Sequence, residues 1–307
     1  MANRYTGSIL ALMAAHVLFA SGGYLITKIA LREFSPFAFG FWRFTVGLAG
    51  LVIMAVGMKL WPRVERGDWI KILGLAILAV PLNQIFFLVG MNLTVPSHAS
   101  LLYGTTAAFA LLLGSVLGIE RVRFLKVAAI AISIAGLAIV VFGNGHVNTH
   151  APSFWGDIWI FFGMFAWAGY TVLAKPLVQK YGALPATVVI LIIGSVLGLP
   201  ILLPGALAQD YSVVTWAGWV SVLYGGLIVT VASYAIWFTL LRRIDPSQVA
   251  ILSTPQPIVT TLMSAIFLGE IVRMPLITGG LLVIGGIALM EAPAIINRTL
   301  VAYQNLK

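Results

Sequence analysis

The side chains able to do chemistry are few, and they are scattered through an apolar chain. Nine acids are present: Glu33, Glu65, Asp68, Glu120, Asp157, Asp210, Asp245, Glu270 and Glu291. None falls in the middle of an apolar run. No carboxylate pair or nucleophile–base set can be assembled at depth, so no catalytic residues and no enzyme activity are expected. The chain has 0 cysteines, which removes disulfides and thiol metal sites; no metal and no cofactor are expected. A GxxxxGK[ST] phosphate loop is absent, which gives ATP-driven transport no support within the chain. Polar recognition remains. His16, Arg43, Asn83, Gln84, Tyr103, Trp167, Tyr170, Tyr234 and Gln256 sit inside long apolar runs, where polar groups are costly unless they face partners or water. Together they suit an inward-facing, aromatic and hydrogen-bonding cavity for a small solute.

Three of these positions carry the sharper expectations. Arg43 lies about seven residues into its run, roughly 10 Å from the helix start at 1.5 Å per residue. A guanidinium at that depth takes either a solute carboxylate or backbone and amide acceptors. His16 is the one group at depth able to titrate near neutral pH, and it either couples protons or packs through a hydrogen bond. Gln256 stands between Pro255 and Pro257 in the stretch LSTPQPIVTT. Each proline frees the carbonyl four residues earlier, Ile251 and Ser253 here, and the pair is expected to act as a hinge in mid-span. The freed carbonyls and Gln256 would offer acceptors to an ammonium group. Lys28, nearer a helix end, can snorkel to the interface.

These residues must be held by membrane helices. The chain of 307 residues is 61% hydrophobic and 9% charged, with a mean hydropathy of +1.04. Apolar stretches of about 20 residues without strand-like alternation read as transmembrane helices. Ten are expected, with cores near 7–31, 36–58, 70–92, 96–117, 124–143, 154–176, 183–203, 214–240, 246–268 and 274–292. The first is too long for a signal-peptide core and is kept as a span. Of 18 basic residues, 14 fall at one set of ends, against Arg32 and Arg273 at the other. The positive-inside rule puts both termini in the cytoplasm. A net charge of +9 spread over helix ends in this way is not a nucleic-acid patch, and no nucleic acid is expected as a partner.

The chain repeats itself. Residues 96–140 overlay 246–290 without a gap, matching Pro96-Ser97 to Pro246-Ser247 and Glu120 to Glu270. FASGGY at 19–24 is similar to FAWAGY at 165–170, at an offset of 146. Five spans per half is an odd number, so the second half enters the membrane inverted, a feature of secondary transporters. Gly136 and Gly286, with Ala129 and Gly279 seven residues earlier, form small-residue stripes suited to close helix packing. Glu270 is expected to favour the positive start of the next helix and to pair with Arg273.

SPFAFGFWRF at 35–44, FAWAGYTVLAK at 165–175 and SQVAILSTPQPIVTTLMSAIFLGE at 247–270 resemble, in order and spacing, the EamA-type permeases of the drug/metabolite transporter superfamily. The resemblance covers essentially the whole chain. It implies an all-α integral membrane protein of ten transmembrane helices in two inverted five-helix repeats, 1–145 and 146–307. Ala107 stands where the repeat would place a proline, and Ser21 where it would place a tryptophan, so the halves are not equivalent in function. The expected function is secondary transport of small metabolites in the inner (plasma) membrane. Export of amino acids or similar compounds is what the resemblance implies. Import, or carriage of sugar phosphates or nucleotide sugars, remain alternatives, as does a non-transporting membrane enzyme or scaffold. The expected partners are the solute and membrane lipid, and the sequence admits a homodimer.

Overall fold

A computed structural model describes residues 2–118, 124–142, 152–241, 255–286 and 288–289. All the regular structure among them is helical. Six helices are long and apolar enough to cross a membrane, and four shorter apolar helices complete a set of ten.

The first, α1, spans Ala2–Ala30. Pro36 starts α2 (Pro36–Gly57), and the Ser35 hydroxyl caps it by accepting the Ala38 N–H. α3 is interrupted: Trp69–Ile77 is α-helical, Leu78–Leu82 is a π segment containing Pro81, and Asn83–Leu93 resumes the α-helix. α4 runs from Pro96 to Val116 with a break at Thr105, where the Thr105 and Thr106 hydroxyls donate to the carbonyls of Leu102 and Tyr103. α5 (Phe124–Phe142) and α6 (Pro152–Leu173) follow. A short helix, Lys175–Tyr181, ends at Gly182, whose φ of 86° turns the chain into α7 (Ala183–Leu207). α8 covers 216–241 and is again interrupted, by a π segment at Tyr224–Ala232. α9 is Gln256–Leu268, closed by Gly269 in the left-handed region, and α10 is Met274–Gly286.

The two π segments are equivalent by the repeat, since 78–82 shifted by 150 falls within 224–232. The packing obeys the same symmetry. α3 rests on α6 as α8 rests on α1; α2 meets α8 as α7 meets α3; α1 meets α9 as α6 meets α4. α2–α7 and α4–α9 pair across the pseudo-axis. α5 and α10 also pair there, through the small-residue stripes. A Cβ on Gly136 would lie 2.6 Å from the Gly279 carbonyl oxygen, and one on Gly279 would lie 2.5 Å from that of Gly136.

Large apolar side chains such as Ile53, Phe124, Ile266 and Leu281 face outward, while Arg43, Asn83, Asp157, Ser195 and Thr260 are buried. This inversion is the one expected of a bundle solvated by hydrocarbon.

Side-chain bonds tie the two ends of the bundle. At the end bearing Asp157, the Glu33 carboxylate accepts from the Thr215 hydroxyl (2.8 Å) and backbone N–H (2.9 Å), joining the α1–α2 turn to the start of α8. At the opposite end, Asp68 accepts from Lys180 (2.7 Å), Tyr181 (2.7 Å) and Lys71 (3.1 Å), joining the start of α3 to the α6–α7 connection. These are the two symmetry-related versions of one contact. Asp68, with Glu65 added at 2.6 Å, holds the Lys180 ammonium well above the usual lysine range.

Candidate substrate cavity

A cavity of about 600 Å³ lies inside the bundle. This volume suits a small metabolite. Its wall runs along α4 from Ser100 to Ala110, roughly 15 Å at the helical rise, and takes in α1, α2, α3, α6, α7, α8 and the start of α9.

His16, Arg43, Asn83, Gln84, Tyr103, Trp167, Tyr170, Gln256 and Pro257 all line it. Pro255, the N-cap of α9, does not appear in the wall, and the Tyr234 side chain lies outside the described residues.

Asn83 and Gln84 are presented by the π segment that immediately precedes them. The wider turn, with Pro81 inside it, shifts the helical register just before the two amides. The Asn83 Nδ2 donates to the Tyr103 hydroxyl (2.7 Å) and to the Gly163 carbonyl (2.8 Å), linking α3, α4 and α6. The Gln84 Nε2 donates to the Asn83 Oδ1 (2.5 Å). The Gln84 Oε1 is buried and accepts no hydrogen bond among the described residues. Ser233, which follows the second π segment as Asn83 follows the first, likewise has a buried hydroxyl without a partner among the described residues.

Aromatic rings cover the remaining wall. Tyr24 meets Phe87 and Tyr103 edge-on at 5.8 and 6.3 Å between centroids, and Trp167 lies 5.0 Å from Tyr170. His16 is hydrogen-bonded with the backbone of Ser233.

Arg43 is 7% exposed and lines the cavity, with its guanidinium 5.5 Å from the Phe44 ring centroid. Its stem runs over Gly225 of the α8 π segment, where a Cβ would lie 3.0 Å from the Arg43 Cδ. No Asp or Glu appears among the described lining residues.

The hinge expected in mid-span falls largely outside the described residues. A kinked span with freed carbonyls at Ile251 and Ser253 was anticipated; both of those residues lie outside the described ones. Within the described residues α9 begins at Gln256, with the two prolines at its N-cap and first turn, where a missing N–H costs nothing. The Gln256 carbonyl accepts from the Ser21 hydroxyl at 3.3 Å.

Glu270 differs from the sequence expectation. It accepts from the hydroxyls of Ser97 and Ser264, so it binds α4 to α9 in addition to standing before α10. Lys28 does more than snorkel. Its ammonium donates to the carbonyls of Met91 (3.0 Å), Asn92 (3.2 Å) and Thr94 (2.6 Å) at the end of α3. Thr27, Ser100, Thr187, Ser195 and Thr230 join the cavity wall without having been singled out in the sequence, because lone hydroxyls in apolar helices look the same whichever way they face.

Inverted repeats around a central cavity with a few buried polar groups in its wall are the architecture of multi-pass membrane transporters. The profile of the EamA-like transporter family matches residues 6–142 and again residues 154–292, and the chain belongs to that family. An "Uncharacterized transporter" of Archaeoglobus fulgidus is 26% identical over 283 residues, covering 92% of this chain and 96% of its own. A "Probable amino-acid metabolite efflux pump" of Salmonella typhimurium is 26% identical over 197 residues, 62% of this chain and 65% of that one. A solved structure titled "Crystal structure of protein" shares the fold, with a TM-score of 0.63 and 18% identity over 96% of this chain and 99% of its own.

Proposed function

We propose that the protein exports small zwitterionic metabolites of the amino-acid type by alternating access, with residues 1–145 and 146–307 as the two repeats that rock against each other. The observation that carries this is the composition of the cavity wall: a buried arginine, amides and hydroxyls, and no carboxylate among its described residues. A wall of this kind favours a solute carboxylate over a permanent cation. Arg43 takes that carboxylate. The Gln84 Oε1 takes the ammonium group, which relieves an acceptor left without a partner among the described residues. Tyr24, Tyr103, Trp167 and Tyr170 enclose the side chain of the solute.

The basic residues set the orientation: both termini face the cytoplasm, and the Asp157 end faces outward across the inner membrane. The relationship to an efflux pump supports export as the direction. Solute counterflow in proteoliposomes tests the reading. Neutral amino acids should exchange, while sugar phosphates and quaternary cations should not. Counterflow of quaternary cations at the same rate as amino acids would overturn it.

A further inference from the structure

The solute site accounts for the polar groups of the cavity wall. It leaves unexplained a second set, gathered just beyond the wall at the Asp157 end. Thr27 and Ser100 are lining residues there, and Lys28 follows directly on Thr27. The Ser100 hydroxyl donates to the Ser97 carbonyl at 3.0 Å, one helical turn farther out.

Five elements converge at this level through side chains. Lys28 of α1 closes on the three carbonyls at the end of α3, where a cation also meets the negative pole of that helix. The Thr94 hydroxyl, in the α3–α4 turn, donates to the Asp157 Oδ1 of α6 at 2.5 Å. The His98 Nδ1 of α4 lies 2.9 Å from the Asp157 Oδ2. Ser97 of α4 and Ser264 of α9 both donate to Glu270. Asp157 is only 3% exposed. A carboxylate that dry is held by its bonds, and breaking them without rehydration is costly.

Three of these groups have no counterpart of the same chemistry in the other repeat. By the offset of 146 that relates α1 to α6, Lys28 corresponds to Ala174 and Asp157 to Ala11; by the offset of 150, His98 corresponds to Gln248. Ala174 is itself a lining residue, so the cavity reaches the level at which its counterpart Lys28 stands beyond the wall. Because Lys28, His98 and Asp157 lack such counterparts, the two closed states of a rocking pair of repeats would be held by different groups.

We propose that the Lys28–Thr94–His98–Asp157–Glu270 cluster is the external gate of the transporter, closed in this structure and opened only when its bonds to Asp157 and to the α3 carbonyls break. The proposal rests on the orientation given above. It makes the resting protein one that loads from the cytoplasm, and it makes rupture of the cluster the step that admits solute to the outside.

The absence of cysteine allows a direct test. Ala107→Cys puts one thiol in the cavity wall, to be labelled by a membrane-impermeant maleimide from either side, in intact cells and in inside-out vesicles. In the otherwise unaltered protein, labelling should be faster from the cytoplasmic side. Adding Lys28→Gln or Asp157→Asn should speed labelling from outside by about tenfold, the change that follows from losing about 1.4 kcal/mol of closed-state bias. Unchanged outside labelling in both variants, each monodisperse on size-exclusion chromatography, would overturn the gate. Faster labelling of the single-cysteine protein from outside would instead overturn the orientation. Should either variant fail to fold, Thr94→Cys with Asp157→Cys tests the same claim. Oxidation by copper phenanthroline and oxygen, joining the two thiols as a disulfide, should stop transport, and reduction should restore it. Undiminished transport with the bridge formed would contradict the proposal.

Discussion

The amide nitrogen of Asn83 lies 2.7 Å from the hydroxyl of Tyr103, and this bond, with a second to the Gly163 carbonyl, sets the polar edge of the cavity. It fixes Asn83, Asn83 receives Gln84, and Gln84 is left with its carbonyl oxygen as the open acceptor. Tyr103→Phe should therefore cost little stability, about 0.6 kcal/mol by the average for interhelical bonds in membranes. Its larger effect should be a raised KM with kcat nearly unchanged, because Gln84 loses its orientation. A KM equal to that of the parent would show that the amide pair does not touch the solute.

Gln256→Ala tests the start of α9. The residue lines the cavity, and its backbone carbonyl, not its side chain, receives the Ser21 hydroxyl. Truncation should leave expression and melting temperature close to those of the parent and weaken solute binding, read as a smaller thermal shift at fixed solute concentration. Transport matching the parent across concentrations would reduce Gln256 to a packing residue.

Gly225→Ala probes Arg43 without removing its charge. The new methyl would stand 3.0 Å from the Arg43 Cδ and 3.2 Å from its Cγ, so the flexible stem must shift. A displaced guanidinium should raise KM for amino acids severalfold while the protein still folds, the loss expected when a charge-assisted hydrogen bond is misaligned. Unaltered KM would place the solute carboxylate away from Arg43.

Glu270 gives a pH signature. Burial pushes its carboxyl above the ordinary glutamate range, outweighing the opposite pull of its bond from Ser264 and of nearby His98 and Lys28. The folded protein thus holds this proton more tightly than the unfolded chain does. Stability from this group is present at low pH and is lost as pH rises from the unfolded value, about 4.3, through the raised folded one. The melting temperature of the parent relative to Glu270→Gln should fall over that window and level off above it. A relative rise with pH would contradict the account of Glu270.

Much of the frame was legible because lipid imposes a simple rule. Apolar runs of sufficient length must be helices, and the small-residue stripes of Ala129 and Gly136 on one and Gly279 and Gly286 on the other let two of them touch. The polar residues of the wall were also legible as a set, since each would be costly against hydrocarbon. What escaped depended on geometry that no period encodes. The π segments leave no pattern beyond Pro81 in α3, yet they turn Asn83 and Ser233 toward the cavity. Asp157 and His98 stand near helix ends, where isolated polar residues read as solvated, and only the packing of α4 on α6 brings them together at 2.9 Å. Glu270 seemed committed to Arg273 because that partner is near in sequence, whereas Ser97, 173 residues away, is near in space.

The central claim is that Arg43 holds the carboxylate of a zwitterionic solute, and its most direct measurement compares two ligands in one variant. Counterflow by Arg43→Gln should be followed for a neutral amino acid and for the amide of the same amino acid, in proteoliposomes. The account predicts that the variant loses the amino acid by tenfold or more, about 1.4 kcal/mol, while handling the amide almost as the parent does. Equal loss for both ligands would contradict it.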